Sequence, residues 1–134
     1  RRLALAQDDQ PVVVEHDRKS VSAETTLAKD SGDPEELLDL VDRLSRRVGR
    51  HLAGSGMGGR TVRVKLRLAD FTTFTRQKSL AEAVQSSEDV TLATVALLRA
   101  ELQPGRLFRL VGVGVSGFEP PRRDVIQPRL AGFE

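Results

Sequence analysis

The chain has no cysteine, no tryptophan and no tyrosine, and only two histidines, His16 and His51, in 134 residues. Without cysteine there is no disulfide framework and no thiolate metal site, which fits a reducing compartment. Two histidines this far apart do not make a structural zinc centre, so no metal ligand is assigned in this segment. No apolar run approaches the roughly 20 residues of a membrane span, and the opening residues lack the hydrophobic region of a secretory signal. The expectation is a soluble, cytoplasmic, monomeric protein with no membrane partner.

Catalytic patterns are missing as well. The sequence contains no Walker-type phosphate loop, no HExxH and no plausible Ser-His-acid set. The run GVGVSG, residues 112–117, superficially matches a dinucleotide fingerprint, but it closes a strand and no helix follows it. Asp8-Asp9 sit in a polar segment and Glu35-Glu36 at a helix start, neither the buried setting of two-metal chemistry. No catalytic residue is assigned.

What is present is a segregation of charge. Residues 30–42 hold six acids and no base, whereas residues 60–79 hold six bases and the single acid Asp70. Segregation of this kind suggests a polyanionic partner for one surface. Arginines outnumber lysines 17 to 4. This fits bidentate phosphate contacts, and a GC-rich coding bias would produce it equally well.

A length of 134 residues suits one domain with a sizeable core. Residues 1–18 show no sustained period and read as a tether. Residues 19–28 alternate Val21, Ala23 and Leu27 against Ser20, Ser22, Glu24 and Thr26, a strand with a polar outer face. A helix follows, with Asp33 as N-cap, Pro34 in the first turn and Glu36 completing a capping box. Its apolar stripe is Leu37, Val41, Leu44 and Val48, and Gly54 is expected to end it. Residues 61–69 are expected to form a second strand and residues 70–80 a third, joined by a tight turn or a bulge. Ser86 and Asp89 open a second helix that runs to Leu102 with the stripe Leu92, Val95, Leu98 and Leu102. Pro104-Gly105 breaks it, and residues 106–118 make the last strand. Three prolines, at 120, 121 and 128, mark residues 119–134 as an extended tail.

The order β-α-β-β-α-β is a split-βαβ arrangement of the α+β class. It implies a four-stranded, largely antiparallel sheet with two helices packed on one face and the other face open. In the second strand Val62, Val64, Leu66 and Leu68 take one parity, and Arg63, Lys65 and Arg67 take the other. Cations two residues apart recur every 6.6 to 6.8 Å or so, close to the spacing of phosphates along a nucleic-acid strand. Arg76 and Lys78 are expected to carry this ladder into the third strand. Gly112 and Gly114 leave the last strand bare for close approach, and Ser20, Ser22, Thr72, Thr73 and Thr75 add hydroxyl donors. Cations on an open sheet can instead serve only solubility and edge protection, but a merely solvated face usually mixes signs. The face also lacks an aromatic pair for stacking single-stranded bases. Duplex DNA held without sequence preference is the better fit.

These segments resemble a known family. KSVSAETT, residues 19–26, is similar to the entry strand of the little-finger domain of Y-family DNA polymerases, with its Lys-Ser-aliphatic-small-x-Glu-x-Thr pattern. VRVKLRLADFTTFTRQKSL, residues 62–80, resembles the central hairpin of that domain in the DNA polymerase IV branch. RLFRLVGVGVSGF resembles its final strand, and QDDQPVVVEHDRKS its tether from the thumb. The resemblance covers residues 4–118 and implies a parent enzyme that performs translesion synthesis, a DNA-directed nucleotidyltransferase using Mg²⁺ and deoxynucleoside triphosphates. Its catalytic carboxylates would lie in a palm outside this segment, which carries no active site and no cofactor. It implies that residues 19–118 grip template-primer duplex DNA, through Lys19, Ser20, Ser22, Arg63, Lys65, Arg67, Thr72, Thr73, Thr75, Arg76, Lys78, Gly112, Gly114 and Ser116.

In the tail, Gln127, Leu130 and Phe133 look like a sliding-clamp peptide. The spacing departs from bacterial forms, which place the last anchor one or two residues earlier, and Pro128 is unusual. A plain disordered tail is the other reading. For the domain, the competing reading is a protein-interaction module whose sheet binds protein rather than DNA.

Overall fold

Aspartate, proline and two glutamates in sequence make a strong helix start, and the fold is built around what that start positions. In a computed structural model the described residues are 12–15, 20–56 and 58–119. They form β1 (Val13–Glu15), β2 (Ser20–Ser31), α1 (Pro34–Ser55), β3 (Gly58–Leu68), β4 (Thr73–Val84), α2 (Ser87–Arg99) and β5 (Phe108–Glu119). One sheet runs in the order β1-β2-β5-β3-β4, with every neighbouring pair antiparallel. α1 packs on β2 and β5, α2 on β3 and β4, and the helices pack on each other. This is the expected β-α-β-β-α-β architecture with one addition. Val13–Glu15, inside the segment read as a tether, pairs with Ser20–Ser22 and lengthens the sheet to five strands. Three residues are too few to display a period, and β2 supplies their hydrogen-bonding partners.

Helix α1 starts as its sequence demands. The Asp33 carboxylate accepts from the Glu35 backbone N–H at 3.1 Å, satisfying one orphan donor of the first turn. Glu36 does not close the expected capping box; its carboxylate accepts from the Ser31 hydroxyl at 2.6 Å, tying the helix start to the end of β2. Leu37, Val41, Leu44 and Val48 are buried as expected, together with Leu40 and Leu52. The helix ends at Gly56 rather than Gly54, because Gly56 adopts the left-handed conformation (φ 77°) that the C-cap requires.

Helix α2 differs more. It begins as read, with the Ser86 hydroxyl accepting from the Asp89 N–H at 3.1 Å, but stops at Arg99. Its buried residues are Val90, Thr94 and Leu98, at a spacing of four, whereas Leu92 is 71% exposed. Of the expected stripe, Leu98 is buried and Val95 and Leu102 are partly buried against the core, whereas Leu92 is misplaced. Apolar residues surround this helix on most sides, and its central buried position is a threonine. Thr94 lies 2.6 Å from the Ser45 hydroxyl of α1, a satisfied polar contact within the core. One turn along, Gly49 of α1 meets the start of α2. A Cβ there would lie 2.5 Å from Ser87 Cα, so only glycine allows this approach of the helices.

The core lies between helices and sheet. Val62, Val64 and Leu66 of β3 meet Val111, Val113 and Val115 of β5, and Val21, Ala23 and Leu27 of β2 complete the layer. The alternation read from β3 is borne out at Val62, Val64 and Leu66, and Leu68 at the strand end is only partly buried. Among the described residues no helix is long and apolar enough to cross a membrane.

Candidate nucleic-acid interface

The register places the open face in rows. Thr75, Lys65, Gly112 and Glu24 lie side by side across β4, β3, β5 and β2. The next row is Gln77, Arg63, Gly114 and Ser22; on the other side come Thr73, Arg67, Leu110 and Thr26. Opposed residues of an antiparallel sheet share a face. Arg63, Lys65 and Arg67 therefore form one column down the middle of the sheet, on the side away from the helices.

Each of these cations lies along the sheet. Arg67 Nε donates to Thr73 Oγ1 of β4 at 2.9 Å. Arg63 Nη1 donates to Ser116 Oγ of β5 at 3.3 Å. Lys65 Nζ reaches across β5 to Glu24 Oε1 of β2, also at 3.3 Å. The two glycines make the crossings possible. A Cβ on Gly114 would sit 3.0 Å from Arg63 Cζ, and one on Gly112 would sit 3.1 Å from Glu24 Cβ. The bare strip expected for an approaching backbone is thus already crossed by the protein's own side chains.

Other expected site residues fall differently. Ser22 is half-buried in the Arg63 row, and Ser20 is buried. Thr73 and Thr75 are exposed on the open face, and Thr72 lies in the β3–β4 turn. Arg76 opposes Val64 and Lys78 opposes Val62, so both project to the helix side, opposite the β3 cations. Their expected extension of the same ladder is not realised. Odd-numbered residues of β3 oppose odd-numbered residues of β4, and these two cations are even-numbered. Arg76 Nε donates to Glu101 Oε2 at 2.9 Å and its guanidinium lies 4.6 Å from the Phe74 ring centroid. Lys78 lines an open groove between β4 and α2, with Leu80, Leu92 and Ala93. Lys19, Gln127, Leu130 and Phe133 lie outside the described residues.

Two features escaped sequence reasoning. Glu24 puts a carboxylate on a face read as uniformly basic; its outer parity was visible, but its row depends on β5 entering between β2 and β3. The second is the β3–β4 turn. Asp70 Oδ1 accepts from the Thr72 N–H at 2.9 Å, and this hydrogen bond holds the Asp70 carboxyl below its ordinary pKa. Phe71 takes a left-handed conformation (φ 72°) and is 64% exposed. The Arg109 guanidinium lies 4.3 Å from its ring centroid and donates to Asp30 Oδ2 at 3.3 Å. Among the described residues, no three His, Cys, Asp or Glu side chains gather where they could hold a metal ion.

Comparison with known proteins supplies the family. The model described as the impB/mucB/samB family C-terminal domain matches residues 18–128, most of the chain. The chain belongs to this family. Curated relatives bear out the resemblance to the DNA polymerase IV branch. The DNA polymerase IV of Brucella melitensis is 38% identical over 122 residues, which is 91% of this chain and 27% of that protein. The DNA polymerase IV of Corynebacterium diphtheriae is 39% identical over 129 residues, 96% of this chain and 28% of that protein. The chain therefore spans little more than a quarter of the length of either relative. Among solved structures, a complex of the beta-clamp processivity factor with the little finger domain of PolIV matches with a TM-score of 0.61 and 26% identity. That match covers 75% of this chain and 90% of the other. An insertion ternary complex of Dbh DNA polymerase matches with a TM-score of 0.67, covering 77% of this chain and 29% of the other. At 15% identity that second likeness concerns the fold alone.

Proposed function

We propose that this domain is the duplex-holding little finger of a template-directed, translesion DNA polymerase, working in the cytoplasm at the nucleoid. The observation that carries the reading is the column Arg63, Lys65 and Arg67 in the middle of an open sheet face. The column's period of roughly 6.6 to 6.8 Å suits successive phosphates, and membership of the family supports the assignment. Long, flexible side chains hydrogen-bonded only to the protein surface can exchange those partners for phosphate oxygens. Contacts of this kind position a duplex without reading its sequence. The hydroxyls of Thr73, Thr75 and Ser116 border the same column. Nucleotidyl transfer, with its divalent metal, would belong to the remainder of the parent protein.

Salt dependence of duplex binding tests this reading. Each phosphate neutralised contributes about 0.9 to the slope of log affinity against log salt. Replacing Arg63, Lys65 and Arg67 together with alanine is expected to flatten that slope by roughly 2 to 3 units. An unchanged slope would remove the column from the interface and favour the protein-interaction reading.

The tail is proposed to dock a sliding clamp through Gln127, Leu130 and Phe133. The matching PolIV little finger was solved in complex with such a clamp. Short peptides bind through few anchors, so Leu130→Ala with Phe133→Ala is expected to abolish most tail-dependent affinity in a clamp titration. Equal binding by both forms returns the tail to the status of a plain end.

A further inference from the structure

The Lys65–Glu24 pair is peculiar for a surface read as a phosphate binder. The middle cation of the column is engaged by the protein's own carboxylate, two strands away, across a residue that has no side chain. The contact is 3.3 Å, with the lysine side chain 40% and the glutamate 46% exposed. It depends on Gly112, since a Cβ there would crowd Glu24 Cβ at 3.1 Å and approach Lys65 Cβ at 3.5 Å. Arg63 and Arg67, above and below, are held by neutral hydroxyls. A phosphate replaces a hydroxyl at an arginine with a gain in charge pairing. At Lys65 it must displace a carboxylate and then lie close to it.

We infer that Glu24 is an affinity-limiting residue of the duplex-binding face, an internal competitor for Lys65 that keeps the grip on DNA weak and quickly released. The inference rests on the duplex-holding reading and adds the residue that tempers it. While Glu24 holds Lys65, the column offers phosphates two free cations rather than three, and the Glu24 carboxylate repels the phosphates that lie near it. The arrangement suits a domain that must hold a duplex without sequence preference and still let it move.

The test is duplex binding by this 134-residue chain, measured by anisotropy across a salt series with a fluorescent blunt duplex. Glu24→Gln is expected to tighten binding about 3- to 10-fold at low salt, mainly through slower dissociation. The salt slope should steepen by about 0.9, one additional phosphate contact. In a Lys65→Ala background the same substitution should leave the slope unchanged, because no cation is released. Circular dichroism and thermal unfolding of each variant verify that the fold is retained. If wild-type chain binds duplex but Glu24→Gln leaves affinity and slope unchanged, the inference is overturned while the duplex-holding reading stands. Weaker binding by Glu24→Gln also overturns it and makes Glu24 a residue that positions Lys65 for phosphate. A wild-type chain with no salt-dependent duplex affinity removes the reading itself and the inference with it.

Discussion

Strands β3 and β4 are hydrogen-bonded neighbours, and both alternate cations with other residues, yet their cations end on opposite faces of the sheet. In β3 Val62, Val64 and Leu66 are buried on the helix side and the basic parity is open. In β4, an edge strand, Phe74, Arg76 and Lys78 lie on the helix side and Thr73, Thr75 and Gln77 on the open side. The turn between them sets this outcome. A one-residue change in its length would exchange the two faces of β4. An edge strand tolerates cations on its helix side because α2 covers it only partly. Arg76 also finds Glu101, which accepts from Arg106 as well, at 3.2 Å. Charge in sequence thus predicted a basic surface correctly in the central strand and misplaced its continuation at the edge.

The largest expected effect that would break this contrast is on stability. Leu66→Ala removes a fully buried side chain from β3 and should cost about 2 to 5 kcal/mol in denaturant unfolding. Lys65→Ala, one residue away on the open face, should stay within about 1 kcal/mol, the scale of an exposed ion pair. The reverse order would mean that the faces of β3 are inverted.

A smaller effect sharpens the comparison between the two sets of cations. Arg76→Ala should destabilise the domain by up to about 1 kcal/mol through loss of the Glu101 contact and the Phe74 stacking. Together with Lys78→Ala it should flatten the salt slope of duplex binding by clearly less than the β3 triple replacement does. Equal flattening by the two sets would show that the edge of the sheet reaches the duplex as fully as its open face.

The smallest effect lies in the turn that joins the strands. The Thr72 N–H holds the Asp70 carboxyl below its ordinary pKa. A lowered folded-state value contributes stability that is present above the ordinary carboxylate pKa. That contribution is lost as pH falls through the folded value. Titrating the Asp70 carboxyl carbon by NMR should give a midpoint below the ordinary one. A midpoint at or above it would show that the turn, and the register it sets, is not held by this hydrogen bond.

Much of the fold was legible because its signals are local. Asp33 and Ser86 cap helices with their own side chains, and Val62, Val64 and Leu66 alternate with cations over a strand long enough to show it. The start of α2 was legible and its buried face only in part, at Leu98 and not at Val90 or Thr94. Thr94 occupies a core position because Ser45 of α1 meets its hydroxyl, and a partner 49 positions away leaves no mark on the period. β1 was missed for a related reason, since three residues become a strand only when β2 offers them an edge.

The candidate site divides along the same line. The sequence alone determined that β3 carries three cations on one face, because a strand's period of two is a property of the backbone itself. It determined the family as well, through segments that resemble the same domain in the same order. The tertiary structure alone decided that β5 enters between β2 and β3, setting Gly112 between Lys65 and Glu24. It also decided that Arg76 and Lys78 face the helices, through the register set by the turn. Strand order and register come from contacts between residues distant in sequence, where packing selects one pairing among several that the same local pattern allows.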